Sequence, residues 1–238
     1  NLHTGGISST VSPLLVKRDD QQLRCFFVLK GKVMPEKSNR LLELMSELLI
    51  RTDWGKDRMR LKELILRLKT QTEQDLTQNG FHIAVMRLNS YLSNRGAYRE
   101  LISGHSYYLF LCDLADHFEE KAADIIGNLM KVQNQLVNRR SMMLSLTCHA
   151  EQSEPIKKGL GDFLSAFPSF PVRSAEYRFS KEIANEGFKD TSKVQYVAKG
   201  FDFKCLGHEY NGRMEVLSQL LSISNAWDMS TMVGWRYF

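Results

Sequence analysis

Apolar positions recur along the chain with two periods, and the changes between them mark out its elements. Residues 22–34 (QLRCFFVLKGKVM) are rich in strand formers in partial alternation, which predicts a strand ended by Pro35. Next, Leu41, Leu42, Met45, Leu48 and Leu49 fall on one side of a 3.6-residue period, so a helix is expected, with Ser38 placed to cap it. Thr52-Asp53-Trp54-Gly55 breaks the pattern. From about 57 to 78 a longer helix carries Leu61, Leu64, Ile65, Leu68 and Leu76 on one side and Lys, Arg, Glu and Gln on the other, a core stripe backed by a solvated face. Asn79-Gly80 stops it, and a further helix runs from 81 to about 92 with Ile83, Met86 and Leu92 inward.

Residues 93–104 read as a loop and short helix, 105–117 as a helix with Tyr108, Leu111, Cys112 and Ala115 on one face, and 121–137 as another helix. Residues 142–148 (MMLSLTC) have apolar side chains on both faces and predict a central strand. Pro155 suits a first helical turn, opening a helix through 167. Pro168, Pro171 and the polar stretch to 192 suggest a linker, after which 193–199 (KVQYVAK) predicts a strand and 211–223 a helix. The order implies an α+β fold, a mostly antiparallel sheet covered by several helices. Three segments follow: a unit over 1–167, a linker over 168–192, and a second unit from 193 to 238 with too few elements to cover a core of its own.

Composition changes this picture little. Hydrophobic residues are 43% and charged residues 25% of 238, ordinary globular values that exclude disordered and low-complexity classes. Net charge is +5, with Lys and Arg dispersed among acids, so no basic stripe suggests nucleic acid. No apolar run approaches the ~20 residues of a membrane span. The opening Asn1-Leu2-His3-Thr4-Gly5-Gly6 has neither a starting Met nor a cationic-then-apolar signal, and reads as an interior piece of a longer protein.

Candidate chemistry is sparse. Cys25, Cys112, Cys148 and Cys205 are widely spaced among apolar neighbours without a C-x-x-C, which favours four buried free thiols in a reducing compartment, cytoplasm or organelle matrix. His117-Phe118-Glu119-Glu120-Lys121 has the first His and the Glu of H-x-x-E-H, but zinc needs imidazoles at i and i+4 of one face, and Lys121 puts a cation at the second. The reading is a solvated helix end. No nucleophile elbow, P-loop or dinucleotide fingerprint occurs. No catalytic or metal-binding residue is therefore assigned, and the sequence singles out no substrate-binding residue.

In this setting the order of segments resembles one family. Thr4-Gly5-Gly6-Ile7-Ser8 is similar to the turn opening the third domain of presequence-protease-type peptidases, a branch of the pitrilysin/insulinase zinc metallopeptidase superfamily. Phe27-Val28-Leu29-Lys30-Gly31-Lys32 resembles that domain's strand. Leu41 to Met45, through Thr52-Asp53-Trp54, resembles its helix and the break after it, 57–64 its long helix, and Asn79-Gly80-Phe81-His82 the next helix start. Ser103-Gly104-His105-Ser106-Tyr107-Tyr108 is similar to the family's S-G-x-S-Y-Y/F segment, and 193–200 with Gly207-His208-Glu209-Tyr210-Asn211-Gly212 to the opening of its fourth domain.

The resemblance implies four related α+β domains in two halves around a chamber. Zinc would sit on an inverted H-x-x-E-H in the amino-terminal half, outside this chain, so no cofactor is expected here. The fourth domain of the family supplies an Arg and a Tyr from R-x-x-G-x-Y to steady the oxyanion. After Asn225 this chain departs from that pattern: Trp235-Arg236-Tyr237 has the residue types at the wrong spacing, and the roles are not carried over. Arg95-Gly96-Ala97-Tyr98 imitates part of the motif in the wrong domain and is read as a surface loop. The expected function is a non-catalytic segment forming chamber wall and peptide-binding surface. Its expected partners are the amino-terminal catalytic half and unstructured peptides, with no nucleic acid or membrane. The alternative is a degenerate scaffold or subunit of a two-half assembly.

Overall fold

The computed structural model describes residues 4–16, 19–172, 176–180, 184–189, 194–202, 205, 207–209 and 211–224. The departure of the sequence from the family pattern after Asn225 lies outside the described residues, as do Asn1 to His3. Among the described residues are two strands, β1 (Ile7–Val16) and β2 (Asp19–Gly31), and eight α-helices: α1 (Ser38–Ile50), α2 (Arg58–Gln78), α3 (Gly80–Leu92), α4 (Asn94–Ser103), α5 (His105–Asp116), α6 (Phe118–Leu136), α7 (Ser153–Ser165) and α8 (Arg213–Ser224). The fold is α+β, but predominantly helical. Its described sheet is one antiparallel hairpin, β1 beside β2, so the mostly sheet architecture expected from the sequence is corrected.

The hairpin is closed at its open end by Gly5 N–H donating to Lys32 O at 2.7 Å and Lys32 N–H to Gly6 O at 3.3 Å. Gly6 adopts φ 112°, which an L side chain resists. β1 is not evident in the sequence because its run of Ser and Thr around Pro13 lacks strand alternation; Pro13 is tolerated because a two-stranded ladder has only edge strands. The sequence places Ser38 as the cap of α1, yet it is the first helical residue. A 3-10 turn at Pro35–Lys37 runs straight into α1, and Lys37 occupies the cap position without a side-chain bond.

Backbone contacts divide the chain into two compact units, one of residues 1–14, 24–67 and 112–176, the other of 15–23, 68–111 and 177–238. In the first, Leu61 and Ile65 on α2 meet Phe118 and Ala122 on α6, with Leu114, Ala115, Ile125, Ile126 and Leu129 packed around them. Both pairs follow i, i+4 spacing, which puts each pair on one helix face. Phe118 is 1% exposed; burying such a ring contributes about 2–3 kcal/mol. Gln133 of α6 donates to Leu49 O (3.0 Å) and Thr52 O (3.3 Å) and accepts from Trp54 Nε1 (2.8 Å), tying down the α1–α2 break. Asn138, 2% exposed, holds residue 170 with both ends of its amide: Nδ2 donates to Phe170 O at 3.0 Å, and Oδ1 accepts from Phe170 N at 3.3 Å.

In the second unit α3 and α4 form a tight helical pair, joined at Ser93, whose Oγ caps α4 by accepting from Gly96 N at 2.9 Å. Gly96 sits directly on α3: a Cβ there would lie 2.1 Å from Asn89 O. Arg95-Gly96-Ala97-Tyr98 is thus a helical segment with Gly96 and Ala97 buried, not the surface loop expected. Tyr98 meets the rings of Tyr177 (5.5 Å) and Phe179 (6.4 Å) edge-on.

Neither of the two later expected strands is one. Residues 142–148 form no ladder, and Met143 is 80% exposed. Lys193 lies outside the described residues, and 194–199 is irregular with Val197 81% exposed. The second case has a clear packing cause. Gly80 of α3 carries the Tyr196 ring at Cβ distances of 2.8–2.9 Å, and Gly200 faces Leu88 Cδ2 at 2.9 Å. Four extended residues at ~3.3 Å match eight helical residues at ~1.5 Å, so the segment runs alongside α3 as a strap. Its partner is a helix, which offers no ladder bonds.

Candidate functional site

The most densely built polar cluster lies on α3, α4 and α5, in the second unit, around Arg87. Burial of the cluster starts from Glu100, 2% exposed on the inward face of α4. Its Oε1 accepts from Ser106 N at 3.0 Å and Ser106 Oγ at 3.3 Å, and pairs with Arg87 Nη1 at 3.4 Å. Arg87 Nη1 also reaches Ser106 Oγ at 3.3 Å. Oε2 of Glu100 is buried with no hydrogen-bond partner, an expensive arrangement for a carboxylate. Room for it is made by Gly104: a Cβ there would stand 2.0 Å from that oxygen.

The other edge of the guanidinium faces Glu186. Nε donates to Oε2 at 2.7 Å and Nη2 to Oε1 at 2.8 Å, a bidentate fork, while the Tyr91 hydroxyl donates to Oε2. Arg87 Nε is also 3.1 Å from Tyr91 Oη. Phe188, two residues on, stacks at 4.5 Å from the His105 ring and 6.0 Å from the guanidinium carbon. Electrostatics follow the geometry. Hydrogen bonding to Arg87, then to Tyr91, holds the Glu186 carboxyl at about 2, below its ordinary 4.5. The bond from Glu186 raises Arg87, and burial raises the Tyr91 phenol.

In the same unit, a cavity of about 200 Å³ is lined by Leu68, Leu76, Ile83, Ile102, Tyr107 and Asp75, among others. Apolar walls predominate, and it is smaller than the ~300–1,000 Å³ usual for a ligand pocket. Burial raises the Tyr107 phenol.

The zinc-like pattern at 117–121 dissolves into ion pairs. Lys121 Nζ bonds both oxygens of Asp113 (2.8 and 2.6 Å), and His117 Nδ1 is 3.1 Å from Asp113 Oδ1. Glu119 joins Arg58 (2.8 Å) and Lys62 (2.7 Å). The cations lower the carboxyls, Asp113 through Lys121 first and Glu119 through Lys62 first. Among the described residues no three His, Cys, Asp or Glu side chains converge on a metal position, so the residues present do not fit zinc. The cysteines are all free, but only Cys25 and Cys112 are partly covered; Cys148 and Cys205 are exposed, correcting the expectation of four buried thiols. No described helix is long and apolar enough to cross a membrane.

Arg87, Tyr91, Glu100 and Glu186 carry no sequence signal. A charged residue on an amphipathic helix reads as solvated, and Glu186 lies in the expected linker. The usable hint is Ser103-Gly104-His105-Ser106, whose glycine and second serine both serve Glu100.

Comparison with known proteins gives these features a family. Residues 1–114 match the model for the peptidase-associated family of metallopeptidase family 16, subfamily C. The chain is 30% identical over 237 residues to Protein HypA of Clostridium perfringens, an alignment covering 100% of this chain and 24% of that protein. It is 26% identical to Presequence protease 1, chloroplastic/mitochondrial, of Arabidopsis thaliana, over 98% of this chain and 22% of that one. The corresponding figures for the mitochondrial presequence protease of Saccharomyces cerevisiae are 22% identity, 94% and 24%. The chain thus spans about a quarter of the length of the curated relatives it matches. With its first 114 residues on the family model and nearly its whole length aligned with presequence proteases, the chain belongs to this peptidase-associated family of the presequence-protease branch.

Proposed function

We propose that this chain is a non-catalytic segment of the carboxy-terminal half of a zinc oligopeptidase of the presequence-protease type, contributing chamber wall and peptide-binding surface. The observation that carries the reading is the alignment of 94–98% of the chain with about a quarter of two presequence proteases. A quarter-length piece without converging ligands of its own is suited to enclosing and holding peptide, with hydrolysis assigned to the amino-terminal half. That half would bind the zinc, whose chemistry there is activation of water.

On this reading the partners are the amino-terminal half, on the same or another chain, and unstructured peptides. Free thiols at all four cysteines suit a reducing compartment. The relatives' names point to mitochondria and chloroplasts; an organelle matrix or the cytoplasm is the corresponding proposal here.

The test is reconstitution. The isolated chain should cleave no peptide and bind no stoichiometric zinc by metal analysis. Joined to the amino-terminal half, it should support chelator-sensitive cleavage of unstructured peptides. An assembly that stays inert with its zinc bound replaces this reading with that of a scaffold.

A further inference from the structure

We infer that the Arg87 site on α3–α5 is a receptor for an extended peptide carrying a carboxylate and, two residues later, an aromatic ring, and that the chain's own Glu186-Gly187-Phe188 occupies it. This deepens the peptide-binding part of the proposed function and rests on it.

Half of the receptor is built without the occupant. Glu100 and Ser106 fix the Nη1 side of Arg87 from α4 and α5, and Tyr91, one turn further along α3, stands beside Nε. These contacts pin the guanidinium so that its Nε–Nη2 edge points away from them, and that edge matches the two oxygens of a carboxylate. The edge is filled by Glu186 at 2.7 and 2.8 Å. Glu186 comes from an irregular segment outside the helices, and the Arg87 side chain retains 23% exposure. A purely structural ion pair needs neither the phenol bond nor a second anchor, but here both exist. The Phe188 ring lies on His105 at 4.5 Å. Between the anchors, a Cβ at Gly187 would meet nothing within 4 Å. The middle position is open, so the motif recognised is acid, any residue, aromatic.

The resident segment is tethered, and a short flexible tether gives an effective concentration in the millimolar range. A free peptide therefore competes poorly until the segment is disarmed. The experiment uses the full chain as wild type, as Glu186→Gln with Phe188→Ala, and as that double variant with Arg87→Gln added. Each is titrated with a blocked Ala-Glu-Gly-Phe-Ala peptide and its Gln counterpart, followed by NMR shifts, with melting curves to establish folding. The double variant should bind the Glu peptide about tenfold more tightly than the Gln peptide and about tenfold more tightly than wild type does. Adding Arg87→Gln should remove the preference. If the double variant does not fold, Glu186→Gln alone takes its place. A folded, disarmed chain that treats the two peptides alike, or binds neither at millimolar concentration, overturns the proposal. Neither result depends on peptidase activity, so it is distinct from failure of the reconstituted assembly.

Discussion

Gly104 and Glu100 fit each other so closely that a Cβ on Gly104 would stand 2.0 Å from Oε2 of Glu100 and 2.9 Å from its backbone oxygen. The carboxylate occupies the volume of the missing side chain, and from there its other oxygen takes Ser106 N–H at 3.0 Å. Gly104→Ala should therefore push Glu100 off Ser106 and Arg87. The expected cost is about 2–4 kcal/mol, overpacking added to a disrupted buried network. Shortening the opposing side chain should compensate: Gly104→Ala with Glu100→Ala should lose less than the sum of the two singles. Denaturant melts of the four chains give the coupling. Strict additivity would mean that the two residues do not share this space.

Glycines elsewhere in helices make a matched pair for a second prediction. Gly127 of α6 has open space where a Cβ would go, whereas at Gly96 of α4 the Cβ would meet Asn89 O at 2.1 Å and Asn89 C at 2.5 Å, both backbone atoms. Gly127→Ala should stabilise by about 0.5–1 kcal/mol, since alanine restricts the unfolded chain and suits a helix. Gly96→Ala should destabilise by about 3 kcal/mol or more, because helix must move against helix. Thermal melts of the two variants check the opposite signs.

The Arg87–Glu186 pair predicts a pH dependence. Glu186 titrates at about 2 in the folded chain, against an ordinary 4.5. A lowered folded value means the stabilisation is fully present above pH ~4.5 and disappears as pH falls towards ~2. Arg87 stays charged throughout. Groups facing the carboxylate are Arg87, the Tyr91 phenol and His105, and the phenol does not titrate in this range. Glu186 is 32% exposed, so water screens part of the effect. Amide exchange of residues 184–189 should accelerate relative to Glu186→Gln on acidification through this window. Parallel curves for the two chains would show that the pair does not hold the segment.

What the sequence discloses depends on the kind of partner each segment has. The stripes of α1 and α2 pack on other apolar faces, and their period alone places Leu41, Leu61 and Ile65 inside. Residues 194–199 have the β-branched and aromatic content of a strand, but Gly80 and Gly200 let the segment lie along a helix instead. Strand propensity reports a pleated, half-buried setting rather than the ladder itself. The Arg87 cluster is hidden for another reason. Its members come from positions as far apart as 87 and 186, and each alone looks like an ordinary surface charge. Only Gly104 and Ser106, two residues apart in sequence and beside the same carboxylate in space, leave a local trace.

Thiol reactivity gives a check on burial independent of any substitution. Cys148 follows the extended run after α6 and Cys205 lies beyond the strap on α3; both are exposed, while Cys25 on β2 and Cys112 on α5 are partly covered. Cys205 Sγ is 3.3 Å from Asp202 Oδ2, whose negative charge opposes formation of the thiolate, whereas Cys148 has Lys157 within electrostatic range. Native protein treated with an excess of a chromogenic disulfide reagent should show two fast thiols, Cys148 ahead of Cys205, and two slow ones released on denaturation. Cys148→Ser should remove the first phase alone. Four thiols reacting at one rate would contradict the cover given to Cys25 and Cys112. Two slow thiols that include Cys148 would mean that residues 142–148 are shielded in solution, as a paired strand would shield them.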